Sequence, residues 1–170
     1  MLEEIALKYV NQTEDDLRVI AYGLAILGAV IAGVVTRSKS ELRRAPYFAF
    51  SGLLIFARAT TQFVWLGSLP AMTGGYLWVL MVVDVVGSVV IGYFIGVIAM
   101  ARSRDAFGHA RYAALAFIPL ANFILLLKMS KTQTSANRIP TIPLLTGGLG
   151  VLSGFVMLVA GVALSVTLQM

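Results

Sequence analysis

The chain is 170 residues long, 59% hydrophobic and 12% charged, with a net charge of +5 and a mean hydropathy of +0.89. Soluble domains carry about 45–50% apolar and about 25% charged residues, so both figures name lipid as the solvent. They exclude a disordered chain and a nucleic-acid binder with a solvated basic face. With no cysteine and one histidine, disulfides, thiolate nucleophiles and cysteine-based metal sites are ruled out. The expectation is a protein with no cofactor that is not an enzyme.

Residues 1–16 hold Glu3, Glu4, Glu14, Asp15 and Asp16 against a single Lys8. No basic stretch precedes a short apolar core, so this is not a secretory signal. Leu2, Ile5, Ala6, Tyr9 and Val10 recur at helical spacing opposite the acids, which suits an amphipathic helix on a membrane surface. A solvated tail is the alternative.

The first apolar run, 17–36, is long enough for a helix of about 30 Å, the thickness of a hydrocarbon core. Ala21, Ala25, Ala29 and Gly33 recur every fourth residue along it, and small side chains in that register let a neighbouring helix approach closely. Run 46–69 opens on Pro46, which suits a first helical turn, and carries Trp65 near its far end, at headgroup depth. Run 76–101 opens on Tyr76 and Trp78. A shorter segment, 112–127, spans only about 24 Å as a helix and is interrupted by Pro119 and Asn122. The last run, 144–168, has no charge; Gly150 and Gly154 lie four apart in it and read as packing positions. Its glycines are no phosphate loop, because no Lys-Ser/Thr follows.

Basic residues in short loops mark the cytoplasmic side of a membrane. The loop with Arg37, Lys39, Arg43 and Arg44 against Glu41 is therefore cytoplasmic, and so is the one with Arg102, Arg104 and Arg111 against Asp105, whereas 67–75 has no charge. The acidic N-terminus then falls outside. Lys128, Lys131 and Arg138 break the alternation if 112–127 crosses fully. Either that segment re-enters and leaves on the cytoplasmic side, which requires its backbone to be buried by other helices, or it is a fifth span. The expected architecture is thus all-α: a single polytopic membrane domain over 1–170, with four long spanning helices plus one short broken or re-entrant segment, five spans being the alternative.

Two charges lie well inside the long runs. Arg58 is about 16 Å from the outer end of its helix and Asp84 about 12 Å from the outer end of the next, antiparallel one. Each alone would cost about 2.5–3.5 kcal/mol at mid-membrane, so they are expected to pair. Thr61 and Gln62 extend the polar stripe on one helix, and Asp84, Ser88, Gly92 and Gly96 form an i, i+4 line on the other. Such a pair either fixes helix register or serves as a relay or binding site for a proton, ion or solute. His109, with only Asp105 as a local acid, reads as an exposed histidine near a helix end.

Residues 101–138 also carry an Arg-rich turn with Arg102, Asp105 and Gly108, then Ile118-Pro119-Leu120, then Asn137-Arg138. This stretch resembles a family of small bacterial inner-membrane proteins classed as a domain of unknown function. It departs from that pattern at Arg104, where the family has His, and at Ile139 and Pro140, where it has Tyr-Gly. The resemblance implies a bacterial inner membrane and no known reaction.

Packing surfaces are plentiful and catalytic constellations absent. The expected role is a non-enzymatic accessory or assembly subunit that packs against a membrane-protein partner or a second copy within the bilayer, with no nucleic acid. The alternative is a small solute, ion or proton transporter centred on Arg58 and Asp84.

Overall fold

The computed structural model describes residues 1–37, 39–62, 65, 68–131, 138–141 and 145–167. Asn137 of the Asn-Arg pair, Leu144 and Leu168 at the ends of the last run, and parts of the second run lie outside the described residues.

The architecture is all-α. In chain order the helices are α1 (Leu2–Val10), α2 (Glu14–Val35), α3 (Arg44–Thr61), α4 (Ser68–Gly74), α5 (Leu77–Phe107), a 3-10 helix (Ala110–Phe117), α6 (Pro119–Leu127) and α7 (Gly147–Thr167). Among the described residues three helices, α2, α5 and α7, are long and apolar enough to cross a membrane. Their apolar side chains point outward: Val19 is 72% exposed and Val34 75%, while the buried positions of α7 are Gly150, Gly154 and Gly161. A large apolar exterior over a small-residue interior is the arrangement lipid selects, because in hydrocarbon the packing energy comes from close backbone approach.

Several boundaries differ from the sequence expectation. Helix α2 starts three residues early, at Glu14, because Thr13 caps it: its hydroxyl accepts from Asp16 N at 3.2 Å, and three acids fill the first turn. The second run is not one helix over 46–69. Helix α3 ends at Thr61, where Thr60 and Thr61 turn their hydroxyls back onto Ala57 O and Arg58 O, and the separate α4 occupies the stretch read as a loop. At 18 residues with Arg44 and Arg58 inside it, α3 is not among the three long apolar helices, against the four expected. Helix α5 outlasts its apolar run through Arg102 and Asp105 to Phe107, and stops at Gly108, whose φ of 84° closes the helix in the left-handed region.

The bundle is two close helix pairs. Helix α2 lies along α5 so tightly that a Cβ on Gly92 would stand 2.1 Å from Ala25 O, and one on Gly28 2.1 Å from Val89 O; Gly96 packs on Ala29 and Ala32. Helix α3 lies along α7 in the same manner, Gly52 against Gly154 and Phe56 against Gly161. Both pairs are parallel, since Ala25 and Ala29 meet Gly92 and Gly96 in ascending order, as Ala45, Phe48 and Phe56 meet Gly150, Gly154 and Gly161. Gly33, counted with the α2 seam on sequence, is exposed and would meet nothing within 4 Å; the contact with α5 runs through Ala32 and Thr36 on either side of it, so Gly33 lies on a face turned away from α5.

Helix α5 is antiparallel to α3: Leu42 N donates to Ala101 O at one end, and Arg58 meets Asp84 further along. After Gly108 the 3-10 helix turns back along α5, and Tyr22 of α2 donates its hydroxyl to Phe117 O. Pro119 excludes a helical conformation for Ile118, which sits at φ −107°, ψ 111°. Helix α6 then returns, with Tyr47 donating to Asn122 Oδ1 at 2.6 Å and Lys131 N to Asp105 O at 2.8 Å. The segment therefore begins and ends at one end of the bundle. Ile139 N, donating to Glu41 O, joins that end too.

Candidate functional site

Arg58 reaches Asp84 from the last turn of α3. Its Nη1 donates to Asp84 Oδ1 at 2.7 Å and to Thr61 Oγ1 at 2.7 Å. Asp84 Oδ2 accepts from Tyr9 of α1 at 2.8 Å. The carboxylate is thus engaged at both oxygens, and its side chain is only 6% exposed against 28% for Arg58. Nε and Nη2 of the guanidinium have no hydrogen-bond partner among the described residues.

Helix α1 is held over this pair rather than frayed. Glu3 accepts from Leu77 N at 3.1 Å and Trp78 N at 3.4 Å, placing a carboxylate at the amino end of α5 where the helix dipole favours it. Tyr9 also stacks on Trp65, with ring centroids 6.0 Å apart. Burial, then the hydrogen bond to the Asp84 carboxylate, push the Tyr9 phenol above its ordinary pKa; it remains a donor.

The pair borders a cleft of about 640 Å³ between the two helix pairs, a volume suited to a small-molecule ligand. Ala21, Leu54, Ile55, Ile91, Ile95 and Val162 make its walls apolar. Its polar and aromatic lining comprises Arg58, Asp84, Gln62, Ser88, Tyr9 and Trp65 about the ion pair, together with Glu14, Arg18, Tyr22 and Ser165. Ser88 Oγ and Gln62 Oε1 are buried with no partner among the described residues, and buried polar atoms left unpaired are uncommon.

The residues singled out on sequence separate into three groups. Arg58, Thr61 and Asp84 meet directly, with Gln62 and Ser88 lining the same cleft. Ala25, Ala29, Gly92 and Gly96 lie in the α2–α5 contact, and Gly150 and Gly154 in the α3–α7 contact. Of the basic positions, Arg37, Lys39, Arg43, Arg44 and Arg111 are exposed and Arg104 half-buried. Two are corrections: Arg102 and Arg104 lie within α5 rather than in a loop, and Arg102 is 0% exposed. It donates from Nε to Leu125 O at 2.7 Å, and pairs with the Asp105 carboxylate and Lys128 O. Ser130 Oγ donates to the same oxygen of Asp105, Oδ2, at 2.6 Å.

Tyr9, Glu3 and Trp65 were not singled out as site residues on sequence. Tyr9 stood on the apolar face of an amphipathic segment, a pattern that gives no clue to its polar tip. His109 is exposed beside Tyr112, ring centroids 5.1 Å apart. Among the described residues no group of three or more His, Asp or Glu side chains could hold a metal ion. No protein-family model, curated protein or solved structure matches this chain.

Proposed function

We propose that this is a non-enzymatic membrane protein that binds a small solute in the cleft and carries it across the bilayer, with Arg58 and Asp84 as its recognition pair. The observation that carries the reading is that the 2.7 Å pair faces a cleft of about 640 Å³ instead of being sealed between helices. A pair serving helix register alone has no need of a neighbouring cavity, a guanidinium with an open edge, or an unpaired buried hydroxyl. Charges at membrane depth are costly and mark solute or ion paths.

An accessory role finds less support. The small-residue seams that suggested an outside partner are filled by this chain's own helices, Gly92 and Gly96 by α2 and Gly154 by α3. In the membrane, α2 and α5 run inward and α3 and α7 outward, with the N-terminus outside. The Ala110–Leu127 hairpin re-enters from the cytoplasmic face, the side of Arg37, Arg43, Arg44 and Arg111.

The test is an exchange of the pair. Thermal-shift screening of small-solute classes is run on the purified chain, on the R58Q/D84N double variant and on the R58D/D84R exchange. Stabilisation of the wild type by one class, absent in both folded variants and matched by uptake into wild-type proteoliposomes only, is the expected result. If the folded exchange variant is stabilised and transports like the wild type, the pair only sets register and the reading fails.

A further inference from the structure

We infer that the cleft takes an amphiphilic anion, with the oxyanion head on the open edge of Arg58 and the Ser88 hydroxyl and the apolar body along the walls. This deepens the solute-binding reading above and rests on it. The sign of the head follows from which member of the ion pair is the more open. Both Asp84 oxygens accept a hydrogen bond, one from Arg58 and one from Tyr9, and its side chain is 6% exposed against 28% for Arg58, so the guanidinium is the more accessible charge; Glu14, which also lines the cleft, is paired with Arg18. Among the described residues the guanidinium uses Nη1 alone and keeps Nε and Nη2, two parallel N–H groups in the fork geometry that oxyanions occupy.

The second donor is independent of the first. Ser88 is 2% exposed, lines the cleft one helical turn from Asp84, and its Oγ has no partner among the described residues. A buried hydroxyl without a partner is unfavourable unless something fills the position, and an oxyanion supplies the acceptor it lacks. The body follows from the walls. Leu54, Ile55, Ile91, Ile95 and Val162 give the cleft extended apolar walls, with Glu14, Arg18, Tyr22 and Ser165 also in its lining. A compact hydrophilic anion such as inorganic phosphate would leave that surface uncovered. A carboxylate or phosphate on an alkyl chain meets both parts.

Trp65 lines the cleft, and Trp78 is the other tryptophan, so W78F makes Trp65 the sole fluorescent reporter. The full chain carrying W78F, in nanodiscs of phosphatidylcholine, is titrated with dodecanoate bearing a doxyl label on its tail. Unlabelled dodecanoate, dodecanol, dodecylamine and, in a separate arm, phosphatidylglycerol in the disc serve as competitors. The expected result is saturable quenching that dodecanoate reverses at concentrations at least about tenfold below dodecanol and dodecylamine. Reversal by phosphatidylglycerol but not dodecanoate supports the same head chemistry and assigns it to a lipid headgroup.

The S88A variant should narrow the preference for dodecanoate over dodecanol severalfold without loss of fold. R58Q/D84N, which leaves no unpaired charge behind, should abolish that preference while quenching by the tail persists. Wild-type displacement by dodecanol or dodecylamine as readily as by dodecanoate overturns the anion assignment and leaves the binding cleft standing. Absence of saturable quenching with any of these probes overturns both.

Discussion

Tyr9 donates its phenolic hydrogen to Asp84 Oδ2 at 2.8 Å across 75 positions of sequence, tying a surface helix to the buried end of an ion pair. Y9F keeps the stack on Trp65 and removes only that bond, leaving one oxygen of a buried carboxylate unsatisfied. Hydrogen bonds to charged groups contribute about 1.5–3 kcal/mol, and the partly buried setting places Y9F at the lower end. The melting temperature in detergent should fall, and proteolysis between α1 and α2 should quicken. A variant that melts and resists protease like the wild type shows that α1 is held by Glu3 and stacking alone.

The two halves of the Arg58–Asp84 pair should not be equivalent. R58Q strands a carboxylate that is 6% exposed, whereas D84N strands a guanidinium that is 28% exposed and faces the cleft. Removing one partner of a buried pair costs about 3–5 kcal/mol, and partial exposure reduces this for the arginine. R58Q should therefore be the more damaging change, with the R58Q/D84N double variant less destabilised than R58Q alone. Chemical unfolding in mixed micelles measures all three. Equal losses for the two single variants would contradict the difference in burial.

Glycine positions divide sharply between the interface and the lipid face. G92A places a methyl 2.1 Å from Ala25 O and 2.5 Å from Ala25 Cα, backbone atoms that move only if the helices separate. Overpacking of this kind costs about 1–3 kcal/mol. G33A meets nothing within 4 Å, and replacing a helical glycine gains about 0.5–1 kcal/mol. The two variants should shift the unfolding midpoint in opposite directions. A loss in G33A comparable to that in G92A would reveal a partner packed on the exposed face of α2.

How legible each feature was follows from the range of the interaction behind it. Hydropathy is read over a run of residues, so the long apolar helices could be traced from sequence; Arg58 and Asp84 pair as expected, but the depth of about 16 Å counted for Arg58 assumed a helix reaching residue 69, and α3 ends three residues after Arg58. The break before Pro119 is local sterics and was equally readable. The end of α3 at Thr61 depends on hydroxyls competing with backbone bonds, which hydropathy does not register. Arg102 looked like a loop residue because sequence shows its charge and not its acceptors: two are carbonyls of Leu125 and Lys128, more than 20 residues away. The i, i+3 spacing of Arg102 and Asp105 was the one available signal. Tyr9 gave none.

Arg102 should tolerate no replacement. Its Nε, Nη1 and Nη2 each serve a different acceptor, Leu125 O, Asp105 and Lys128 O, and a lysine ammonium on a single stem cannot reach all three. R102M leaves Asp105, itself 2% exposed, without its nearest cation and should cost about 3–5 kcal/mol. R102K should recover only part of that loss. Hydrogen exchange over 119–131, compared with that over α7, distinguishes local release of the hairpin from global loss. Full recovery by lysine would show that charge alone suffices at this position.

The hairpin reading makes a topological prediction that single cysteines can check in a chain that has none. Lys39, Thr73 and Lys131 are all exposed. Lys131 N is bonded to Asp105 O, beside the end of α5, and Lys39 follows the parallel α2, so both belong to the basic end of the bundle. Thr73 lies in α4 at the opposite end, next to the start of α5. In sealed inverted and right-side-out vesicles, Lys39→Cys and Lys131→Cys should react with a membrane-impermeant maleimide from one side, and Thr73→Cys from the other. The charge rule agrees, since Lys128, Lys131 and Arg138 then stand on the cytoplasmic face with Arg43 and Arg44. Labelling of Lys131→Cys from the side of Thr73→Cys would require Ala110–Leu127 to cross the bilayer, which the Arg102 and Asp105 bonds to Lys128, Ser130 and Lys131 do not allow in this fold.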